Sequence, residues 1–260
     1  MKPEYHIVNP SQNTPRDLAL VIPAYNGAPA LVRTIRGLVE YFSQSSVSCH
    51  IVVVDDGSTD KLESLLGDYP EIHLLAGENQ GKGAAIRAGF AYCQNMARAI
   101  GFIDVDGDYG PQALENMAKI VLEGSGETVI GWRFGSHGST LRRYGSLVFS
   151  KWVWLTNNLS FDTQAGIKVF SRELVEDVLP ELRATGFAID VDILSTMRSR
   201  GWAPPVLYPV TLDAKTSSTV SLRRAIGAAV ETWRLRRPAK RWLLEPISPI
   251  PSPPSEPGRD

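Results

Sequence analysis

The sequence predicts an α/β domain: a mainly parallel sheet with helices on both faces. Three observations carry that expectation. Short apolar runs alternate with stretches of helical spacing through the first half of the chain, the order that a parallel sheet with crossover helices requires. The clearest run, His50-Ile51-Val52-Val53-Val54-Asp55, is β-branched and apolar without alternation, as suits a strand covered on both faces. Polar, glycine-containing loops follow these runs, at the carboxyl ends of strands, where open parallel sheets bind ligands.

Taken in order, Leu18–Ile22 reads as a buried strand stopped by Pro23. Ala30–Phe42 carries Leu31, Ile35, Leu38 and Phe42 at helical spacing. After the strand at 50–55 come a short helix over Lys61–Leu66, a strand over Ile72–Ala76, a helix from about Lys82 to Ala99 and a strand over Ile100–Asp104. Pro111 opens a helix that runs to about Leu122, and Thr128–Gly131 is a further strand. The second half is less regular. Ser146–Leu159, with Trp152 and Trp154, reads as an apolar helix, and Asp162–Phe170 as extended. Val191–Arg200 reads as a helix ended by Gly201. No repeat or linker interrupts 17–222, which is expected to be one domain. Residues 1–16 are expected to be a flexible N-terminal tail, 223–245 a basic amphipathic helix, and the proline-rich 246–260 a disordered tail.

The chain has 260 residues, 43% hydrophobic and 21% charged, enough for a large core without disulfide staples. A formal net charge of -1 excludes a chain-wide basic field, so no nucleic-acid partner is expected. Cys49 and Cys93 are the two cysteines, with no C-x-x-C pair; this argues against a disulfide scaffold or a structural zinc site and fits a reducing compartment. No apolar run approaches the roughly 20 residues of a spanning helix, and Met1–Asp17 lacks the apolar stretch of a signal peptide. A cytoplasmic location, peripheral at the inner face of a membrane, is the expectation. Arg223, Arg224, Arg234, Arg236, Arg237, Lys240 and Arg241 stand against Glu231 alone in 223–241. With Leu222, Ile226, Ala229, Trp233 and Leu243 among them, the segment reads either as an interfacial helix at an anionic membrane surface or as a packed helix with solvated arginines.

Three polar loops converge on one rim: Pro23-Ala24-Tyr25-Asn26-Gly27, Asp55-Asp56-Gly57-Ser58-Thr59-Asp60 and Asp104-Val105-Asp106-Gly107-Asp108. Any one of them reads as a turn former; their convergence points to a ligand site. On an extended segment Asp104, Asp106 and Asp108 share a face, where their repulsion calls for a cation. Oxygen-only ligands select a hard ion, Mg²⁺ or Mn²⁺, and a diphosphate-bridging metal is the better reading than a calcium loop, because Gly110 falls one place late. The glycine-rich stretch Glu78–Gly89 opens a helix and carries Lys82. Gly83 follows that lysine, so this is no Walker motif. It suits either a phosphate at a helix N-terminus or close helix packing.

The set Val21–Asn26, Val54–Asp60, Asn79-Gln80-Gly81-Lys82-Gly83 and Asp104-Val105-Asp106, in that order, resembles the family 2 inverting glycosyltransferases. Asp162–Phe170 and Phe187–Leu194 resemble the branch of polyprenyl-phosphate sugar synthases, the dolichyl-phosphate glucosyltransferases and dolichol-phosphate mannose synthases. The resemblance covers about 18–222 and implies a GT-A-like fold. It implies that Pro23, Ala24, Tyr25, Asn26, Asp55 and Asp56 line the nucleotide pocket of a nucleotide-sugar donor, with Lys82 near it and Lys168 at a basic position of the branch. Asp104 and Asp106 would hold the sugar nucleotide and, with Asp108, its metal. Arg133 and Arg143 match family arginines that face anionic groups, or are solvated.

The implied reaction is inverting hexose transfer from a nucleoside-diphosphate sugar, of UDP-glucose or GDP-mannose type, to a polyprenyl phosphate. A soluble hydroxyl acceptor is the alternative. It would need a base, for which Asp190 or Asp192 are candidates; their other reading is a loop-ordering acid and an exposed one. A catalytically silent nucleotide-sugar-binding protein is the third reading, which the carboxylate set argues against. The sequence departs from the branch where Thr211 and Leu212 follow Pro209-Val210, and Thr219 stands where the branch has Lys.

Overall fold

The computed structural model describes residues 5–9, 14–60, 62–67, 69, 71–105, 109–133, 152, 156, 166–210 and 222–236. At the centre, β2 (Arg16–Ala24) lies parallel to β3 (Cys49–Asp55) on one side and β5 (Ala97–Ile103) on the other, and β4 (His73–Ala76) lies parallel to β3. Along β2, Ala19 and Val21 point into one apolar layer, and Leu18, Leu20 and Ile22 into the other. Both faces are covered, which is why these strands read as continuous apolar runs.

Beyond this parallel block the sheet is mixed, although four of its seven pairings among the described residues are parallel, as the expectation of a mainly parallel sheet has it. β7 (Ile167–Ser171) runs antiparallel to β5 and to β6 (Thr128–Arg133), β8 (Val206–Val210) runs parallel to β6, and β1 (His6–Asn9) caps β4 antiparallel. Among the described residues the order is β1-β4-β3-β2-β5-β7-β6-β8. The reversal at β7 matters for the site. Ile103 pairs with Ile167, so the start of β7 stands beside the carboxyl end of β5.

Among the described residues there are seven α-helices. α1 (Ala28–Phe42), α2 (Leu62–Leu66) and α4 (Pro111–Leu122) cover one face, and α3 (Lys82–Cys93), α5 (Arg172–Val178) and α6 (Ile189–Arg200) the other. α7 (Leu222–Arg234) follows β8. Gly201 ends α6 in the left-handed region at φ 87°.

Several boundaries differ from the sequence reading. α3 stops at Cys93, not near Ala99, because Ala97–Ala99 pairs with β2; an alanine-rich strand carries no local β signal, and the neighbouring strand decides its state. β1 lies inside the expected N-terminal tail, which is corrected over His6–Asn9. α5 and β8 had no strong periodicity to announce them. Of the expected helix at 146–159 only Trp152 and Thr156 are described, both helical; 237–260, with the expected proline-rich tail, lies outside the described residues. Both cysteines are buried free thiols. No helix among the described residues is long and apolar enough to cross a membrane.

Candidate active site

The first two rim loops are laced into one surface. The Asp56 N–H donates to the Ala24 carbonyl at 2.9 Å. Asn26 adopts a left-handed backbone, φ 51°, a conformation that Asn tolerates better than most residues. Its Oδ1 accepts from the Thr59 N–H at 2.9 Å and the Thr59 hydroxyl at 3.1 Å, while its own N–H donates to Ser58 Oγ at 3.0 Å. Asp60 caps the start of α1 by accepting from the Ala28 N–H at 2.9 Å. Asp55 Oδ1 takes the Ser58 N–H at 2.8 Å. Tyr25 remains half exposed on this surface.

Asp56 is committed elsewhere. Its carboxylate accepts from the Tyr5 hydroxyl at 2.6 Å and from the N–H groups of Gln80 and Gly81, each at 2.8 Å. Three donors on a carboxylate 4% exposed describe a buried tie between β1, β3 and the glycine loop. Burial, then the hydrogen bond to Asp56, push the Tyr5 hydroxyl pKa upward, so Tyr5 stays a donor.

The glycine loop is shaped by what it touches. Gly81 has φ 98°, and a Cβ there would come 2.5 Å from the Thr185 carbonyl oxygen. That same oxygen accepts from the Gly83 and Ala84 N–H groups at 2.8 and 3.2 Å. Two first-turn donors of α3 are therefore used by the 183–188 loop. What reaches the rim is the Lys82 side chain. Its Nζ lies 2.5 Å from Asp104 Oδ1 and within 6.0 Å of the Phe187 ring centre. Burial works to lower the Lys82 pKa, but Asp104 and Asp190 outweigh it and the net shift is upward. Lys82 is a held cation.

Asp104 leaves β5 beside the start of β7. Its N–H donates to the Gly166 carbonyl at 2.9 Å. A Cβ on Gly166 would lie 2.2 Å from Asp104 Oδ2, so the carboxylate sits where a side chain at 166 would displace it. A second pair lies deeper: Lys168 Nζ is 2.5 Å from Asp190 Oδ1, with the lysine fully buried and 5.2 Å from the Phe102 ring centre. Lys168 is thus an interior counter-charge to Asp190. Asp192, also fully buried, accepts from the Arg183 and Ala184 N–H groups at 2.6 and 2.8 Å. It holds the loop, as the loop-ordering reading of this pair of acids expects.

Asp106, Asp108 and Arg143 lie outside the described residues. Arg133 ends β6 opposite Val210, its side chain not described. Among the described residues no cluster of three metal-ligating side chains occurs. Asp104 itself fits a hard divalent ion: an oxygen donor at a strand end, 40% exposed, in a gap that a side chain at 166 would fill. Of the expected site residues, Pro23 and Ala24 end β2, with Ala24 buried in the core; Tyr25, Asn26 and Asp55 lie in the laced loops; and Asp104 and Asp190 both act on the Lys82 cation. Tyr5, Gly166 and Glu231 were missed; only Gly166, inside a motif, carried any signal. A separate cavity of about 530 Å³ between α1 and α4, lined by Tyr41, Ser46 and Glu115 among others, lies away from this chemistry.

A mixed sheet whose parallel strands end in laced polar loops and an acidic strand end, with helices on both faces, is a GT-A-like fold. Residues 19–179 match Glycosyl transferase family 2, and the chain belongs to that family. It is 30% identical over 203 residues to a dolichyl-phosphate beta-glucosyltransferase of Trichomonas vaginalis, covering 71% of this chain and 62% of that protein. It is 28% identical over 249 residues to a polyprenol monophosphomannose synthase of Mycolicibacterium smegmatis, covering 88% and 89%. The chain thus spans less than two thirds of the length of the first of these relatives. Among solved structures, glucosyl-3-phosphoglycerate synthase from Mycobacterium tuberculosis, in complex with Mn²⁺, uridine diphosphate and glucosyl-3-phosphoglycerate, aligns with a TM-score of 0.66 at 18% identity, over 85% of this chain and 80% of that one. Mannosyl-3-phosphoglycerate synthase from Rubrobacter xylanophilus gives 0.67 at 18%, over 85% and 72%.

Proposed function

We propose that this chain transfers a hexose, with inversion, from a nucleoside-diphosphate sugar to a polyprenyl phosphate. The observation that carries the reading is Lys82 held at Asp104, on the same strand-end rim as the laced loops of Asn26 and Asp55. A base stacked near Tyr25, with Asp55 accepting from it, directs the diphosphate towards Lys82. An acceptor oxygen attacks the anomeric carbon; the bond to the diphosphate breaks, and its electron pair leaves with the nucleotide. Lys82 then offsets negative charge on the departing group. Asp104, with Asp106 and Asp108, would hold Mg²⁺ or Mn²⁺, which supplies charge neutralisation for a diphosphate leaving group.

A phosphate acceptor is already an anion and needs no base. This agrees with Asp190 being paired with Lys168, and with relatives named for dolichyl and polyprenyl phosphate. The seven basic residues of 223–241 suit an approach to an anionic membrane surface. The soluble alternative, a hydroxyl acceptor, is favoured by the fold neighbours crystallised with phosphoglyceric acid; it would require Asp190 to take a proton. Radiolabelled UDP- and GDP-sugars offered with polyprenyl phosphate and with soluble phosphorylated acceptors decide between them. Label in the organic phase supports the lipid reading. Label confined to the aqueous phase overturns it.

A further inference from the structure

We propose that Glu231 of α7 is a positioning residue: it fixes the 185–188 loop, and through that loop the main chain around Lys82 and the start of the helix that carries Asp190. Glu231 Oε1 accepts from the N–H groups of Thr185 and Gly186 at 2.8 and 3.0 Å, and Oε2 from the N–H of Ala188 at 3.4 Å. One carboxylate thus gathers donors along four consecutive residues. A Cβ at Gly186 would lie 2.7 Å from Oε2 and push the carboxylate from this position.

Each end of this clamp leads to the site. Upstream, the Thr185 carbonyl receives the Gly83 and Ala84 N–H groups, so the loop that Glu231 holds is the one against which the first turn of α3 rests. Lys82 is the first residue of that turn. Downstream, Ala188 is the N-cap of α6 and has no side-chain cap of its own. Glu231 stands in from another helix for the acid of a capping box, whose carboxylate takes the N-cap N–H, and its negative charge also suits the positive end of α6. Asp190 lies in that first turn. Hydrogen bonds to an ionised carboxylate are the stronger kind, and here they cross 43 to 46 positions of sequence, so the seat of α7 bears on the seats of Lys82 and Asp190.

α7 itself presents Val230 and Trp233, 43% and 49% exposed, and is joined to Trp152 through a hydrogen bond from Nε1 to the Ala229 carbonyl at 3.1 Å. A shift of this helix therefore has a direct route to the rim. That the rim binds a nucleoside diphosphate rests on the function proposed above; the coupling itself does not.

Amide hydrogen exchange on the full chain tests it, with Glu231→Gln, which keeps the volume and one acceptor, and Glu231→Ala. Exchange at Gly83 and Ala84, which Glu231 does not touch, should rise about tenfold or more in Glu231→Ala and less in Glu231→Gln, with the β2 and β3 amides unchanged. Tenfold corresponds to about 1.4 kcal/mol, the scale of such hydrogen bonds. UDP or GDP affinity by calorimetry should fall in the same order. If Thr185 and Gly186 lose protection while Gly83 and Ala84 keep it in Glu231→Ala, the clamp is local and the proposal is overturned. If Gly83 and Ala84 loosen but neither nucleotide binds the unaltered protein, the coupling stands and the proposed function fails.

Discussion

Asp190→Asn is expected to be a stability variant before it is an activity variant. Lys168 is fully buried on β7, and its ammonium lies 2.5 Å from Asp190 Oδ1, whose side chain is 10% exposed. The substitution keeps size and an acceptor oxygen but removes the negative charge facing a buried cation. Breaking such a pair costs about 3–5 kcal/mol. The lower end, about 3 kcal/mol, applies here, because the amide oxygen still accepts and the Phe102 ring lies 5.2 Å from the ammonium. For a domain of this size that corresponds to a Tm lowered by about 6–12 °C. Urea and thermal unfolding followed by circular dichroism measure it.

The double variant Lys168→Met, Asp190→Leu removes both charges, and its stability should return to within about 1 kcal/mol of the unaltered protein. A loss below about 1 kcal/mol in Asp190→Asn alone would refute the assignment of Lys168 as an interior counter-charge. The pair of variants also separates the two acceptor readings. With a phosphate acceptor the stable double variant keeps substantial turnover. With a hydroxyl acceptor it loses about a hundredfold or more, because the base is gone.

Three further outcomes follow from the geometry. Gly166→Ala should displace the Asp104 carboxylate, since the new Cβ would lie 2.2 Å from Oδ2; calorimetry with UDP and GDP, with and without Mn²⁺, should show any metal-dependent gain in affinity shrink about tenfold or more, and an undiminished gain would contradict the role given to Asp104. Tyr5→Phe removes one of three donors on the buried Asp56 and should cost about 1.5–3 kcal/mol in urea unfolding, whereas a neutral result would make β1 dispensable. Stability should fall as pH drops from 6.5 towards 4. His50 Nε2 faces the Thr14 carbonyl at 2.7 Å and so donates; His50 Nδ1 then accepts from His73 Nε2 at 3.1 Å, and His73 Nδ1 accepts from the Tyr92 hydroxyl at 3.0 Å. Both rings are neutral in this chain of bonds, and burial, then His50, press the His73 pKa down to about 4 from 6.5. The unfolded chain gains the proton first, so this contribution is whole above pH 6.5, and about 3 kcal/mol is lost by pH 4; His73→Phe should flatten that part of the profile.

The parallel block and its rim were legible because both are written in consecutive residues. Val52-Val53-Val54 is apolar on two faces, and the loops after β2, β3 and β5 each carry their polar residues within five or six positions. The late reversal of the sheet was not legible, because β7 owes its direction to where it is inserted, between β5 and β6. Nor does a short strand such as Val206–Val210, interrupted by Pro209, carry much pattern of its own. Tyr5 lies 51 positions from the carboxylate it serves, and Glu231 lies 46 from Thr185; at such distances no spacing rule applies.

The harder limit concerns acids that look alike. Asp55 and Asp56 are neighbours, as Asp190 and Asp192 are near neighbours, and each pair divides its work. Asp55 takes the Ser58 N–H of its own loop and Asp190 faces Lys168, while the other member of each pair accepts backbone N–H groups from a separate loop: two on Asp56 and two on Asp192. The division has a physical source. The 183–188 loop and the glycine loop approach each other so closely that Gly81 and Gly83 have no room for side chains. Main chain packed that tightly exposes N–H groups that must be satisfied, and a buried carboxylate is a strong acceptor for several at once. Asp56 holds the glycine loop, Asp192 holds one end of the 183–188 loop, and Glu231 holds the other. The positioning proposed for Glu231 thus extends to Asp56 and Asp192: together the three acids fix the main chain on either side of Lys82, whose pairing with Asp104 the proposed chemistry depends on.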